Sequence, residues 1–187
     1  MISFAQHWII IQINRIKIKY DYFTIAVITI CSIVFSQTFT ACILCAVLHE
    51  AGHAVMLLHF GCDTLEIRLR LMCLDMIDNG RMKRSPAEHA VCILAGPLIN
   101  FLCIPIFYAL YKAVGSQFLL MCIRSSAALG FFNIMPLTST DGGELLALLL
   151  EKFISPQKAQ HTINIITLIS IAAVVYYFVT YQQSKLF

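Results

Sequence analysis

The 187-residue chain is 59% hydrophobic, and only 12% of its residues carry a formal charge. Its mean hydropathy of +0.81 excludes a soluble domain, which could not cover so much apolar surface with polar side chains. The net charge of +3 is too small and too dispersed to indicate a nucleic-acid partner. We predict an all-α polytopic membrane protein with about six transmembrane segments and a small β element at the membrane surface.

The first twenty residues predict a strand at the membrane surface, because apolar side chains recur there with a period of two. The alternating apolar positions are Ile9, Ile11, Ile13, Ile16 and Ile18. Tyr22–Phe35 follows as a short first span. No cleavage site with small residues comes after it, so we interpret the N-terminus as an uncleaved anchor.

The second predicted span, Thr38–Phe60, contains the sequence His49-Glu50-Ala51-Gly52-His53, which reads H-E-x-x-H. Histidines at positions i and i+4 share one helical face, so both imidazoles can bind one metal ion. The glutamate between them can act as a general base on metal-bound water. Ionisable groups are costly in lipid, which favours a functional role for this motif.

The rest of the chain alternates between surface and spanning segments. Leu65, Ile67 and Leu69 alternate with charged residues and predict a second surface strand, which we expect to join the first in one sheet. The sequence Ser85-Pro86-Ala87-Glu88 then predicts a helix start with a capping box. That helix runs to about Tyr111 and is interrupted at Gly96-Pro97, where a kink or a close helix approach is expected.

A broken helix is predicted near the end of the chain. Gln117–Met135 is the fourth span, and Pro136–Thr140 breaks it before a short helix from Asp141 to about Phe153. Such a break at membrane depth is tolerated only where it lines a cavity or is buried in protein. Ala159–Tyr181 is the last span. We predict one domain over residues 1–187, with neither a CBS nor a PDZ domain.

A hydrolytic zinc site usually has three protein ligands, so a third must come from outside the H-E-x-x-H motif. The acidic candidates are Glu88 and Asp141, and the other histidines are His59 and His89. We favour Asp141, because it lies at the helix break, two glycines follow it, and a charge at this depth is costly. The alternative role for Asp141 is capping of the following helix.

The basic residues predict that the N-terminus is cytoplasmic. With six spans, nine lysines and arginines then fall on the cytoplasmic side against three outside, and the histidine motif lies toward the cytoplasm. The nine are Arg15, Lys17, Lys19, Arg68, Arg70, Arg81, Lys83, Arg84 and Lys185, and the three are Lys112, Lys152 and Lys158.

Three motifs together resemble the site-2 proteases, a family of intramembrane zinc metalloproteases. Asn133-x-x-Pro136-x-x-x-x-Asp141-Gly142 is similar to their second signature, and His49-Glu50-x-x-His53 resembles the first half of their zinc site. The stretch Ala95–Asn100 resembles the G-P-x-x-N element of many members. The order, spacing and hydropathy of these motifs agree with the family over nearly the whole chain.

The resemblance implies a set of site residues and a cofactor. His49, His53 and Asp141 would bind Zn²⁺, and Glu50 would act as general base and then as general acid. Asn133 and Asn100 would contact the substrate, although an interhelical hydrogen bond is the alternative role for Asn133. We also hypothesise that the strand-like loop 64–77 captures an unwound substrate by strand addition.

Within the family, the compact layout resembles the sporulation branch, which releases a mother-cell sigma factor from its membrane-bound precursor. This implies a bacterial cell membrane, a membrane-anchored protein substrate such as a pro-sigma factor, inhibitory membrane proteins and the lipid bilayer as partners. We expect no CBS domain, and in this respect the chain would differ from that branch. Two other functions are compatible with the fold: a catalytically silent membrane scaffold, and a metal or ion transporter.

Overall fold

A computed structural model describes residues 2–5, 8–70, 73–78 and 84–184. The chain divides into two compact units, Met1–Phe131 and Phe132–Phe187. The basic residues Arg81, Lys83 and Lys185 lie outside the described residues. The predicted single domain over residues 1–187 stays a prediction.

The first unit contains a five-stranded sheet whose spatial order follows the sequence. Its strands are β1 (Ile2–Ala5), β2 (Trp8–Ile13), β3 (Ile16–Asp21), β4 (Leu65–Arg70) and β5 (Cys73–Asp78). All neighbouring strands are antiparallel except β3 and β4, which are parallel. The predicted small sheet is confirmed, and its strands β2 and β3 form a hairpin whose two-residue turn holds Asn14 at a φ of 50°.

The apolar face of the sheet results from the register between β3 and β4. Ile16 pairs with Leu65, and Ile18 pairs with Ile67, so these side chains share one face. Leu65 is fully buried and belongs to a cluster with Ala54 of the preceding helix. Burial of this face attaches the sheet to the helical part of the unit.

The opposite face of the sheet carries an ion-pair network. Glu66 is buried, and its Oε1 lies 2.7 Å from Lys19 Nζ and accepts a hydrogen bond from Arg68 Nε at 2.6 Å. Burial by itself would raise the pKa of Glu66, but the hydrogen bonds and charges of Lys19 and Arg68 outweigh it and lower that pKa below its ordinary value. The carboxylate is therefore held in its ionised form.

The two predicted spans Tyr22–Phe35 and Thr38–Phe60 lie within one helix, α1 (Tyr22–His59), of 38 residues. Asp21 caps its N-terminus by accepting a hydrogen bond from the Thr24 backbone N–H at 2.6 Å. A straight helix of this length would be about 57 Å long. Since the paired strands β3 and β4 flank α1, its ends are at most about 45 Å apart. The helix therefore bends, because it connects two neighbouring strands of one sheet.

The other helices of the first unit are α2 (Pro86–Val114) and α3 (Gln117–Ile134), whose last turn enters the second unit. The predicted capping box at Ser85 and Glu88 is confirmed, and Gly115 ends α2 in the left-handed conformation. Pro97 stays inside α2 rather than ending it. The buried core between α1 and α3 contains Cys45 and Cys122, and Cys45 Sγ donates a hydrogen bond to the Cys122 carbonyl at 3.4 Å.

The second unit contains the predicted helix break. After α3 ends, a loop leads to the short helix α4 (Asp141–Leu150), which is followed by α5 (Pro156–Ser184). The loop is anchored on α5, where the Thr138 backbone N–H donates to Thr167 Oγ1 at 2.9 Å and Thr138 Oγ1 donates to Asn164 Oδ1 at 3.1 Å. Side chains thus satisfy polar groups that the broken helix leaves open.

Four helical segments of the described chain are long and apolar enough to cross a bilayer, and the chain is an integral membrane protein. They are Gln37–His59, Pro86–Val114, Gln117–Ile134 and Pro156–Tyr177. The predicted fold class is confirmed, because the described chain is mainly helical with one small sheet. The fifth predicted segment, α4, has only 10 residues.

We predict that Glu66→Gln weakens the sheet. Loss of the two charge-assisted hydrogen bonds should lower the free energy of local opening of β3 and β4 by about 1–3 kcal/mol at neutral pH. Hydrogen exchange of the strand amides measures this quantity.

The effect should depend on pH in a defined direction. Because the pKa of Glu66 is lowered in the folded sheet, its stabilising effect is complete above the ordinary pKa of 4.5 and is lost as the pH falls through the lower folded value. Wild type and Glu66→Gln should therefore converge in acid. A difference that persists unchanged at low pH would contradict this assignment.

Candidate metal centre

The two histidines of the H-E-x-x-H motif converge on one face of α1. His49 Nε2 and His53 Nε2 are 3.1 Å apart, and the rings meet edge to face with centroids 4.8 Å apart. The i, i+4 spacing on a helix produces this arrangement. His49 is buried within the unit, with only 5% of its surface exposed.

The spacing of the two nitrogens fits a single zinc ion. Two imidazole ligands at about 2.05 Å from a tetrahedral zinc would place their nitrogens about 3.3 Å apart. The observed 3.1 Å is close to that value. Two neutral imidazoles are also the donor type that zinc accepts most readily, so the residues present fit the metal.

A backbone carbonyl orients His53. His53 Nδ1 lies 2.8 Å from the Cys92 carbonyl oxygen of α2. A carbonyl can only accept, so Nδ1 carries the proton and the lone pair of Nε2 points toward His49. This is the outer hydrogen bond that metal-binding histidines usually make.

Glycines allow α1 and α2 to approach at this point. A Cβ at Gly52 would lie 2.6 Å from the Ala95 carbonyl oxygen, so any side chain there would separate the helices. A Cβ at Gly96 would overlap the Nε2 atoms of His53 and His49. The absence of a side chain at Gly96 therefore leaves room for both imidazole rings beside α2.

Asn100 contacts the other histidine. It is fully buried, and its Nδ2 lies 3.1 Å from His49 Nδ1. Cys92, Gly96 and Asn100 are spaced by four residues and so share one face of α2. The close helix approach expected at Gly96-Pro97 is confirmed, whereas the role of Cys92 was not predicted from the sequence.

Glu50 lies on α1 between the two histidines and is half-buried. It is the only acidic or basic residue, apart from histidines, within Thr38–Phe60. A carboxylate in an apolar span is costly, and such residues are usually functional. Its position in the sequence H-E-x-x-H is the one that the general base occupies in this motif.

The second unit contains the other two predicted site residues. Asp141 is the first residue of α4, but the N-cap is Thr140, whose Oγ1 accepts a hydrogen bond from the Gly143 backbone N–H at 3.3 Å. The alternative capping role of Asp141 is therefore taken by its neighbour. Asn133 is half-buried in the last turn of α3.

The remaining predicted ligand candidates lie at helix ends. His59 is exposed at the C-terminal end of α1, and His89 is in the first turn of α2. Glu88 accepts a hydrogen bond from the Ser85 backbone N–H at 2.7 Å as part of the capping box. This contact gives Glu88 a structural role.

Strand β4 cannot accept a substrate strand. β4 pairs with β3 on one side and with β5 on the other, so neither of its edges is open to a peptide. Among the described strands, the sheet edges are β1 and β5. Strand addition within loop 64–77 would therefore have to use β5, Cys73–Asp78.

An apolar cavity of about 500 Å³ lies between α1 and α2, away from the imidazole nitrogens. Aliphatic side chains line it, among them Leu48, Val55, Leu94, Leu98 and Leu102. No ionisable group lines it among the described residues, so it offers no group for hydrolysis.

Comparisons with known proteins concern the family and the fold. Residues 111–177 match the family described as Peptidase family M50, and this match includes Asn133 and Asp141 but not the H-E-x-x-H motif. None of the curated proteins compared matches the chain. A solved structure titled "Site-2 Protease from Methanocaldococcus jannaschii" is similar, with 20% identity and a TM-score of 0.67 over 93% of this chain and 86% of that chain. The chain has the fold of a site-2 protease.

We predict that Gly96→Ala abolishes metal binding by the histidine pair. The added methyl group would overlap both Nε2 atoms, so the imidazole rings would have to move, although alanine favours a helix by about 1 kcal/mol over glycine. Zinc content of the purified protein, measured by elemental analysis, should fall at least about tenfold.

Gly130→Ala is the matched control, because the three nearest atoms to its Cβ would belong to the Phe101 ring. It should retain zinc. Full zinc occupancy in Gly96→Ala, with unchanged circular dichroism, would contradict the assigned role of Gly96.

Proposed function

We propose that this protein is an intramembrane zinc metalloprotease that cleaves membrane-anchored protein substrates within or near the bilayer. The observation that carries the proposal is the His49–His53 pair on an apolar helix, with Nε2 atoms 3.1 Å apart and a glutamate between the two residues. The site-2 protease fold and the partial match to Peptidase family M50 support the same function.

His49, His53 and Asp141 are the proposed zinc ligands. Two imidazoles and one carboxylate leave a fourth position for water or substrate, as catalytic zinc sites require. Support for Asp141 comes from its sequence signature, which falls in the matched residues 111–177, and from its place directly after a helix break. Because Thr140 caps α4, the Asp141 carboxylate is not needed for that purpose.

The chemistry follows from the proposed residues. Zinc, when bound, polarises the scissile carbonyl and lowers the pKa of the attacking water. Glu50 accepts the proton of that water and later delivers it to the leaving amine nitrogen. His53, held by the Cys92 carbonyl, stays in the tautomer that leaves Nε2 unprotonated. Asn133 provides an amide that can hydrogen-bond the substrate peptide.

The proposed substrate is a membrane-bound sigma-factor precursor in a sporulating bacterium, and inhibitory membrane proteins are further proposed partners. Support comes from the sequence resemblance to the sporulation branch. The basic residues support a cytoplasmic N-terminus and an active site toward the cytoplasm. Co-expression with single-span substrates, with and without such a precursor, tests this choice.

A transporter and a silent scaffold are the alternative functions. A transport site could use the histidines and Asp141, but it would not need Glu50 between them. A scaffold would need none of these residues. Dependence of substrate cleavage on Glu50 therefore separates the protease from both alternatives.

We predict that Glu50→Gln removes cleavage but not zinc. Loss of the general base should slow substrate processing by about 10²–10⁴-fold, because that is the usual contribution of such a group. Processing of a co-expressed substrate on a gel and zinc content by elemental analysis are the two measurements. Cleavage at the wild-type rate in Glu50→Gln would contradict a protease with this base.

We predict that Asp141→Asn lowers zinc affinity, because an amide is a much weaker zinc ligand than a carboxylate. Competition with a chromogenic chelator should show at least about a tenfold weaker complex. Glu144→Gln is a matched control, since it removes another carboxylate from the first turn of α4. Equal zinc affinity in wild type and Asp141→Asn would remove Asp141 from the ligand set.

A further inference from the structure

The direction of the hydrogen bond between Asn100 and His49 decides whether His49 can bind a metal. The contact joins Asn100 Nδ2 and His49 Nδ1 at 3.1 Å. An amide nitrogen only donates, so in this orientation Nδ1 of a neutral His49 accepts and the ring proton is on Nε2. That proton would occupy the position needed by the metal.

The same side chain offers the opposite arrangement. Asn100 is fully buried, and its Oδ1 has no hydrogen-bond partner among the residues that the structure describes. A rotation of the amide by 180° would place Oδ1 at His49 Nδ1. The oxygen can only accept, so Nδ1 would then carry the proton and Nε2 would present its lone pair.

The two histidines would then be oriented in the same way from one helix. The Cys92 carbonyl already accepts from His53 Nδ1 at 2.8 Å. Asn100 lies eight residues further along α2, about two helical turns away, with Gly96 halfway between. One face of α2 would then provide an acceptor for each Nδ1, from Cys92 and Asn100. Gly96, on the same face, leaves room for both Nε2 atoms.

We propose that Asn100 is a positioning residue that accepts a hydrogen bond from His49 Nδ1 through its Oδ1 and so fixes the tautomer that binds zinc. This inference rests on the proposed zinc site and assigns Asn100 to the ligand rather than to the substrate. Complete burial of its side chain against His49 supports that assignment.

The rotation exchanges the amide atom that contacts His49. Oδ1 gains the contact, and Nδ2 takes the position that Oδ1 leaves. The reason for this orientation therefore lies at the metal ligand, because it removes the competition between a proton and the metal at His49 Nε2.

The test compares the zinc affinity of two variants with that of the wild-type full chain in detergent. Asn100→Asp keeps an acceptor at this position and should bind zinc within about threefold of wild type. Asn100→Ala removes the acceptor and should weaken zinc binding about 10–100-fold. Ser126→Ala is a matched control, because it also removes a fully buried polar side chain, one that contacts Cys45 instead of His49.

Cobalt substitution supplies a readout that a merely structural role would not change. The visible absorption of bound Co²⁺ should be the same in wild type, Asn100→Asp and Ser126→Ala, and altered or lost in Asn100→Ala. Wild-type zinc affinity in Asn100→Ala would overturn the proposal, as would an equal loss in Asn100→Asp and Asn100→Ala. A wild-type protein that binds neither zinc nor cobalt would instead overturn the proposed function itself.

Discussion

The close approach of α1 and α2 is the constraint on which the candidate centre depends. In a bilayer no water is available to satisfy the second nitrogen of an imidazole, so a partner must come from the protein. α2 provides that partner because Gly52 lets the Ala95 carbonyl approach α1 and Gly96 leaves space for the ligand nitrogens. Gly52 and Gly96 thus allow α2 to contact both imidazole rings of α1.

In the second unit, the polar groups that need partners are those of the backbone at the helix break before α4. A helix break exposes backbone polar groups, and in the described loop threonine side chains bind them. Thr140 Oγ1 donates to the Leu137 carbonyl at 3.0 Å and caps α4, while Thr167 Oγ1 of α5 accepts from the Thr138 backbone N–H. An aspartate can therefore begin α4, where its charge also interacts favourably with the helix dipole.

Features encoded within one segment could be predicted from the sequence, whereas features made between segments could not. The histidine spacing, the capping box at Ser85 and the alternation at Leu65 each depend on local periodicity. The parallel pairing of β3 with β4 depends on where distant segments meet. The Cys92 carbonyl had no signal of its own, because every residue has a backbone carbonyl.

The strength of the protease proposal comes from features that do not depend on one another. The family match covers residues 111–177 and so carries the Asn133 and Asp141 signature without the histidine motif. The H-E-x-x-H motif lies outside that range, and the convergence of its Nε2 atoms is a geometric property of the first unit alone. His53 Nδ1 has a carbonyl acceptor, and a glycine lies close to both Nε2 atoms. Metal-binding histidines usually have such an acceptor at the second ring nitrogen, whereas two histidines that merely share a helical face do not require one.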